Sequence, residues 1–254
     1  TLGDAALKME TMMTQRIYAV GDIHGQIEQL EHVLQLIERD GGPDARIVFL
    51  GDYVDRGFNS KAVVQRLLEG VTEGRNWVCL KGNHDRYLTR FVADMTVFDP
   101  RTRTGLVWLN PRLGGDKTLQ SYGIDAEEGA PLEPIYQAAQ KAVPKPHLTF
   151  LVSCPLYHET DQLVFVHAGI RPNIPMDQQD EDDLIWIRDG FLDHEQSFGK
   201  LVVHGHTALD NPEHAGNRVN LDGGAGYFRP LCAAVFEGTE CWLLSDAGRV
   251  ALLP

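Results

Sequence analysis

Aspartate, asparagine and histidine residues directly follow five apolar segments of this sequence, and each segment is typical of a buried β-strand. These polar residues are Asp22 and His24, Asp52 and Asp55, Asn83 and His84, His167, and His204 and His206. Because open α/β sheets place ligand chemistry at the carboxyl ends of their strands, we expect these side chains to meet at one edge of a sheet. Carboxylate, amide and imidazole groups without thiolates suit two divalent metal ions.

The loop at 51–57 is the densest of these motifs. It places Asp52, Asp55 and Arg56 between two glycines, after the apolar segment 46–50. Alone, the loop fits a surface turn with a local Asp–Arg pair equally well. The four companion motifs favour a functional site instead.

The elements that must position these residues change along the chain. The first half alternates apolar segments with helical patterns, at 27–39 and 59–68, which predicts an α/β sheet whose early strands are parallel. In the second half, the apolar segments 231–236 and 240–244 are separated only by glycine-containing turns. They predict antiparallel strands that complete a second sheet.

Composition limits the classes of function. The chain has 254 residues, 43% of them hydrophobic, which suits one large domain. Its net charge of −13 disfavours nucleic-acid binding, and no apolar stretch is long enough to span a membrane. The four cysteines are widely spaced and predict buried free thiols in a cytoplasmic protein.

Two regions fall outside the regular pattern. Residues 1–15 are predicted to be a loose N-terminal extension of a single domain at 16–254. Residues 93–160 are rich in proline, and we expect them to form a cap-like insertion that leans over the site. Trp108, within this insertion, fits a packing role at least as well as a functional one.

The ordered set of motifs resembles the phosphoprotein phosphatase (PPP) family of metallophosphoesterases, and the small bacterial and phage serine/threonine phosphatases in particular. The resemblance spans about residues 16–244. It implies an αββα fold, a central β-sandwich flanked by helices on both faces. It also implies two metal ions, with Mn²⁺ expected and Fe or Zn²⁺ as alternatives.

The resemblance assigns a metal-binding role to six residues. It places Asp22 and His24 on the first ion and Asp52 between the two ions. The second ion takes Asn83, His167 and His204, while His206 is expected beside His204 without binding metal. A hydroxide that bridges the ions is then the nucleophile that attacks phosphorus.

The resemblance also implies the residues that handle the substrate. His84 is the expected general acid, and Asp55 is expected to orient it. Arg56 and Arg188, with Asn83, are expected to bind the phosphate. Arg171 is an alternative to Arg188.

Three functions are compatible with these residues. The preferred one is a metal-dependent phosphomonoester hydrolase acting on phosphoserine and phosphothreonine, with phosphotyrosine as a further substrate, and working as a monomer on phosphorylated proteins or peptides. The alternatives are a symmetrical dinucleoside polyphosphate hydrolase and an inactive metal-binding scaffold. Asp55 favours the protein phosphatase, because the dinucleoside branch usually has a small residue at that position.

Overall fold

Two β-sheets lie face to face in the structure, a computed structural model that describes residues 16–254. The predicted loose extension at 1–15 lies outside the described residues. The eleven strands of the described chain are β1 (Ile17–Val20), β2 (Arg46–Phe49), β3 (Trp77–Cys79), β4 (Tyr157–Glu159), β5 (Leu163–Val166), β6 (Leu201–His204), β7 (Glu213–His214), β8 (Arg218–Asn220), β9 (Ala233–Glu237), β10 (Glu240–Ser245) and β11 (Gly248–Ala251).

Seven α-helices connect or cover these strands in the described residues. They are α1 (Ile27–Gly41), α2 (Ser60–Thr72), α3 (Asn83–Asp94), α4 (Gly115–Ser121), α5 (Leu132–Ala142), α6 (Lys145–Ser153) and α7 (Glu181–Trp186). Helices α1 and α2 begin within one residue of their predicted starts and continue beyond their predicted ends. The early strand–helix alternation is therefore confirmed.

The first sheet has the strand order β11-β10-β9-β1-β2-β3. Strands β1, β2 and β3 are parallel, as predicted, whereas β9 pairs antiparallel with β1 and opposes Phe236 to Ile17. The prediction that the late antiparallel strands complete a second sheet is thus wrong. Both β9 and β10 extend the first sheet, because β9 pairs with the free edge of β1.

The second sheet has the order β4-β5-β6-β8-β7 and is mixed. Its central strands β5, β6 and β8 are parallel, and β4 and β7 are antiparallel edge strands. Alternate residues of the two sheets form the core between them, including Ala19 and Val48 from the first sheet and Phe165 and Val203 from the second. The functional motifs therefore come from two sheets, and the prediction of a single sheet edge is corrected to one edge of a sandwich.

The two outer faces are covered unequally. The outer faces of β1 and β2, which carry Val20 and Phe49, pack against helices α1 to α6. The outer face of the second sheet, with Val166 and Val202, packs under α7 and the loops around it. The αββα sandwich expected from the resemblance is confirmed.

Segment 93–160 contributes α4, α5 and α6. These three helices pack against α2 and α3. Trp108 is fully buried within this cluster, and its indole lies 5.2 Å from the ring of Phe91, measured between centroids. The segment thereby shares one hydrophobic core with the first sheet.

No helix within residues 16–254 has the length and apolar character that crossing a bilayer demands.

The four cysteines are free, as predicted. Cys79, Cys154 and Cys241 are buried, whereas Cys232 is only partly buried.

Candidate metal centre and active site

The candidate site lies where strands of both sheets end. Asp22 and His24 follow β1, Asp52 follows β2, His167 follows β5, and Asn83 begins α3. Each of these five side chains is at most 2% exposed. Such burial of carboxylates and imidazoles is costly unless a compensating charge is bound among them.

Asp52 is the centre of this group. Its Oδ2 lies 3.6 Å from Nε2 of His24, and its Oδ1 lies 3.5 Å from Nε2 of His167. The backbone N–H of His84 donates to Oδ1 at 2.9 Å. The two carboxylate oxygens therefore face two different imidazoles, an arrangement that suits a carboxylate placed between two cations.

The imidazoles of His24 and His167 are fixed by backbone carbonyls. Nδ1 of His24 donates to the carbonyl of Val54 and Nδ1 of His167 donates to that of Leu50, each at 2.8 Å. This pairing leaves the Nε2 lone pair of each ring directed at Asp52, which is the arrangement found in metal-binding histidines. Burial is the main cause that lowers the pKa of His24 well below its usual value, so the ring is neutral and able to bind metal.

Asn83 completes a set of electron-pair donors around His167. Oδ1 of Asn83 lies 2.9 Å from Nε2 of His167, although the N–H of that ring is already used at Nδ1. With the ring proton at Nδ1, Nε2 of His167 and Oδ1 of Asn83 are two electron-pair donors at a distance that suits a cation bound by both. The donor set therefore fits a divalent ion.

His206, rather than His204, joins this group. The ligand atoms of Asp52, His167 and His206 all lie within 4.8 Å of one another. Nε2 of His206 is buried and has no hydrogen-bond partner among residues 16–254. An imidazole nitrogen buried without a partner beside two other ligand atoms fits a metal ion.

His204 is directed elsewhere. It is the last residue of β6, and its ring packs edge-on against Phe191 with centroids 4.9 Å apart. Its Nδ1 lies 3.0 Å from the carbonyl of Gly205. The geometry thus favours His206 over His204 as a candidate ligand, although Nε2 of His204 is also buried without a hydrogen-bond partner among residues 16–254. The two rings point in different directions because His206 lies beyond the end of β6 and has a left-handed backbone, with a φ angle of 64°.

Asp22 lies at the other side of the centre. Its two oxygens accept the backbone N–H of His206, each at 3.1 Å. Burial, followed by the neighbouring carboxylates of Asp222 and Asp52, raises the pKa of Asp22 well above its usual range. Three buried carboxylates with so little positive charge between them are a further reason to expect cations here. Asp222 was not among the predicted residues, since it follows no motif visible in the sequence.

His84 and Asp55 form a hydrogen-bonded pair beside the centre. Nδ1 of His84 lies 2.6 Å from Oδ2 of Asp55, and both side chains are buried. Burial lowers the pKa of His84 to about 3 and raises that of Asp55 to about 7, against the hydrogen bonds from Thr118 and Trp108. The pair holds the His84 ring so that Nε2 faces the arginine of the loop.

Two residues of segment 93–160 hold Asp55 in turn. Nε1 of Trp108 donates to both Asp55 oxygens, at 3.0 and 2.9 Å, and Oγ1 of Thr118 donates to Oδ1 at 2.6 Å. Sequence reasoning assigned neither residue a role. An indole that packs a core and an indole that donates to a buried carboxylate look alike in a sequence, and only the fold distinguishes them.

A cavity of about 680 Å³ opens beside these groups. Arg56, Arg188 and Arg229 line it together with Tyr227, His206, Thr207 and Ala208. The Arg56 guanidinium donates to Nε2 of His24 at 2.8 Å and to Nε2 of His84 at 3.1 Å. Arg188 donates to the carbonyl of His206 at 3.2 Å.

The two arginine alternatives are separated by the structure. Arg188 lines the cavity, whereas Arg171 does not line it and its guanidinium is paired with Asp183. Arg229 lines the cavity while its guanidinium is also paired with the exposed Asp210. Arg229 was not predicted. The sequence offers no signal for it beyond its position after an aromatic pair.

Backbone strain is concentrated at this site. Left-handed φ angles occur at His24 (48°), Asp52 (53°), Asp55 (72°), Arg56 (66°) and His206 (64°). Such conformations are unfavourable for residues with a side chain and persist where the surrounding structure enforces them, commonly at functional sites. Close packing adds a further constraint, because a Cβ at Gly82 would lie 2.1 Å from Oδ1 of Asp52.

The fold and the donor set together define a metallophosphoesterase, a hydrolase of phosphate esters that uses divalent metal ions. The chain belongs to the calcineurin-like phosphoesterase family, whose sequence profile matches residues 15–236. The family predicted from the ordered motifs is thereby confirmed.

The chain resembles some proteins that are named tetraphosphatases and others that are named protein phosphatases. A bis(5'-nucleosyl)-tetraphosphatase PrpE [asymmetrical] from Bacillus thuringiensis is 25% identical over 245 residues, which cover 87% of this chain and 90% of the relative. A crystal structure provisionally named a diadenosine tetraphosphatase is also 25% identical, with a TM-score of 0.62 and coverage of 92% of this chain and 94% of that one.

Protein phosphatases share the fold at lower identity. The cold-active protein-tyrosine phosphatase of a Shewanella species has a TM-score of 0.63 at 16% identity and covers 94% of this chain and 81% of its own. A serine/threonine phosphatase from Saccharomyces cerevisiae has a TM-score of 0.52 at 15% identity, with coverage of 94% and 78%. At these identities the likeness concerns the fold alone.

Proposed function

We propose that this protein hydrolyses dinucleoside polyphosphates with the help of two divalent metal ions. The observation that carries the proposal is the cavity lined by Arg56, Arg188 and Arg229 beside the buried centre. Three guanidiniums exceed what one phosphate monoester needs and suit a chain of several phosphates, since guanidinium groups bind phosphate oxygens bidentately. The PrpE relative, which is named a tetraphosphatase, supports the same substrate class.

The metal ligands in this proposal follow the geometry. Asp22, His24 and Asp52 would bind one ion, and Asp52, Asn83, His167 and His206 the other. When bound, such a pair of ions supplies an activated water and neutralises charge on the phosphate. Mn²⁺ is the expected occupant, with Fe and Zn²⁺ as alternatives.

The chain's own residues would orient the substrate and move the proton. Arg56 and Arg188 would hold non-bridging phosphate oxygens in the cavity. His84 would protonate the leaving oxygen through Nε2 after Arg56 has turned to the phosphate and the ring has taken up a second proton, because Asp55 holds Nδ1 and would stabilise the imidazolium. Asp55 is held in turn by Trp108 and Thr118, so the proton donor keeps one orientation.

The experiment compares diadenosine tetraphosphate with a phosphoserine peptide at equal enzyme and Mn²⁺ concentrations. We expect kcat/KM to favour the dinucleotide by a hundredfold or more, which is about 2.7 kcal/mol in transition-state binding. Chromatography of the products shows the cleavage position, because symmetrical cleavage yields two ADP and asymmetrical cleavage yields ATP and AMP. A hundredfold preference for the peptide would overturn the proposal and leave only the metal chemistry.

Two arginine variants sharpen this comparison. Arg229→Ala should weaken hydrolysis of the dinucleotide more than that of p-nitrophenyl phosphate, because the aryl ester carries a single phosphate. Arg171→Ala is the matched control, since Arg171 is an arginine outside the cavity. Equal effects of both variants would contradict a role for the third arginine.

A serine/threonine protein phosphatase is the second candidate. It is favoured by the buried His84–Asp55 pair, because the alkoxides that leave from serine and threonine are poor leaving groups and need an oriented acid. A nucleoside polyphosphate leaves with less help. Asp55→Ala should therefore depress phosphoserine hydrolysis strongly if proteins are the substrate, and it should affect p-nitrophenyl phosphate much less. Absence of any hydrolysis by the metal-loaded protein would leave the scaffold alternative.

A further inference from the structure

Exposed aromatic rings are concentrated beside the arginine-lined cavity. Within residues 16–254, four large aromatic side chains are exposed. Three of them lie beside this cavity: Phe58 at 57%, Tyr227 at 56% and Phe228 at 63% exposed. Aromatic surface of this kind, left open to water next to a ligand cavity, commonly marks a binding site. No element of the described chain covers it.

The rings have two different arrangements. Tyr227 lines the cavity and lies under two cations, the guanidiniums of Arg56 at 4.8 Å and of Arg229 at 5.7 Å from its ring centroid. Phe58 and Phe228 instead lie side by side, with ring centroids 5.9 Å apart and planes inclined by 32°. Tyr227 therefore supports the cavity arginines, and the phenylalanine pair remains open.

Chain geometry connects the phenylalanine pair to the cavity on both sides. Phe58 stands two residues after Arg56, and Phe228 stands between Tyr227 and Arg229. Nζ of Lys117 lies 5.7 Å above the Phe58 ring. A ligand that reaches from the arginines to the two phenyl rings thus meets cations first and a flat apolar surface next.

We propose that Phe58 and Phe228 form a subsite that stacks a nucleobase of the substrate while Arg56, Arg188 and Arg229 hold its phosphates. The proposal rests on the proposed function and names the part of the substrate that would confer selectivity. A purine offers a flat aromatic face to the rings, and its attached phosphates complement the nearby cations. Stacking of bases on aromatic side chains is tolerant of sequence and contributes substantially to affinity.

The backbone conformation of Phe228 supports its proposed role in stacking a base. Its φ angle is 61°, a left-handed conformation that is unfavourable for a residue with a bulky side chain. The surrounding turn, a 3₁₀ segment at Ala225–Tyr227, holds the ring on the surface at this cost. A ring that served only to fill a core would be buried.

The test measures inhibition by ADP and does not depend on cleavage of the dinucleotide. Hydrolysis of p-nitrophenyl phosphate is the reporter, and ADP is compared with inorganic pyrophosphate as an inhibitor at a constant concentration of free Mn²⁺. Both inhibitors carry a diphosphate, but only ADP carries a base. For the wild type we expect ADP to inhibit at a concentration about tenfold lower than pyrophosphate, equivalent to about 1.4 kcal/mol.

Three variants identify the source of that difference. Phe58→Ala, and separately Phe228→Asn, should reduce the ratio of the two inhibition constants towards one; asparagine is chosen because it tolerates the left-handed backbone. Phe58→Tyr should retain the ratio, since it keeps an aromatic ring. Phe98→Ala is the matched control, because Phe98 is an exposed phenylalanine that is not part of the Phe58–Phe228 pair.

The outcomes separate this inference from the proposed function. If the wild type shows the ADP preference and the variants lose it, the subsite stands even where diadenosine tetraphosphate is not hydrolysed. If the wild type shows no preference, or if the phenylalanine variants keep it, the subsite is overturned. It is also overturned if these variants lower only kcat/KM for a phosphopeptide, which would make the ring pair a peptide-binding surface. Equilibrium dialysis of radiolabelled ADP with wild type and Phe58→Ala gives a second readout, with the same tenfold loss expected.

Discussion

The metal centre and the rim of its cavity differ in how they are held. In the centre, the side chains of Asp52, His24 and His167 are at most 2% exposed and are fixed by backbone groups at strand ends. At the rim, Phe58 and Phe228 are more than half exposed and are carried by loops. Loops vary in length and sequence more readily than strand ends. We therefore expect the centre to determine the reaction and the rim to select the substrate.

Chemistry in the centre is constrained by burial. Asp22 and Asp222 both have pKa values raised above the usual range, with burial as the main cause, and both lie near Asp52. When ionised, such a group of carboxylates is stabilised by bound positive charge. The arginines at the rim need no such compensating charge, since they are partly open to water.

The largest expected effect is loss of the metal ions. Exhaustive chelation should abolish hydrolysis of every substrate alike, and Mn²⁺ should restore it, because the centre is common to all of them. Asp52→Asn should lower both metal content and kcat more than a change at any other ligand, since Asp52 alone faces both imidazoles. Full activity in a preparation that elemental analysis shows to be free of metal would disprove the mechanism.

Next in size is the loss expected from removal of the proton donor. His84→Asn should lower kcat by about 10²–10⁴ for poor leaving groups. The loss should shrink for aryl phosphates with good leaving groups, which need little protonation. Rates measured over a series of aryl phosphates give the dependence, and a loss that is the same across the series would show that His84 positions the substrate instead.

The centre was largely predictable from the sequence, and the rim was not. Asp22, His24, Asp52, Asn83 and His167 follow apolar strands, so a local pattern reports both their structure and their proximity. The choice between His204 and His206 depended on which residue points past the strand end. That depends on where β6 stops, and strand ends are set by pairing with distant residues.

The features that the sequence did not predict depend on contacts between residues far apart in the chain. Trp108 and Thr118 reach Asp55 from more than fifty residues away, and β9 reaches the edge of β1 from the other end of the chain. Phe58 and Phe228 meet in the same way. No local pattern encodes such encounters, because they depend on how the whole chain packs.

A smaller effect is expected at the support of Asp55. Trp108→Phe removes the indole donor while it keeps a ring in the core, and it should lower kcat about tenfold, the value of one charge-assisted hydrogen bond. The loss should be greater for poor leaving groups than for good ones, because the support acts through His84. Trp77→Phe is the matched control, a partly buried indole that packs on Phe49. If both variants lost activity equally, Trp108 would serve packing alone.

The smallest effect is expected away from the cavity, at Asp40 near the end of α1. Its carboxylate accepts from Arg249 at 2.7 and 2.8 Å and from the Tyr18 hydroxyl at 2.7 Å. The hydrogen bonds from Arg249 are the main cause that lowers the pKa of Asp40 in the folded protein. Because a lowered pKa stabilises the fold above the pKa of the unfolded state, about 3.9, this contribution is lost as the pH falls through the folded value.

Asp40→Asn should therefore lower the free energy of unfolding by about 1 kcal/mol at pH 7. Urea unfolding at several pH values should show the difference from wild type shrinking below about pH 4. Rates on all substrates should stay unchanged. A change in substrate preference would contradict the separation between the cavity and the rest of the fold.

The central claim is a centre of two metal ions in which His206 binds the second ion. Elemental analysis of protein dialysed against Mn²⁺ tests it directly in the wild type and in the His206→Gln and His204→Gln variants. We expect two ions per chain in the wild type, one in His206→Gln and two in His204→Gln. Retention of both ions by His206→Gln, together with loss of one by His204→Gln, would contradict it.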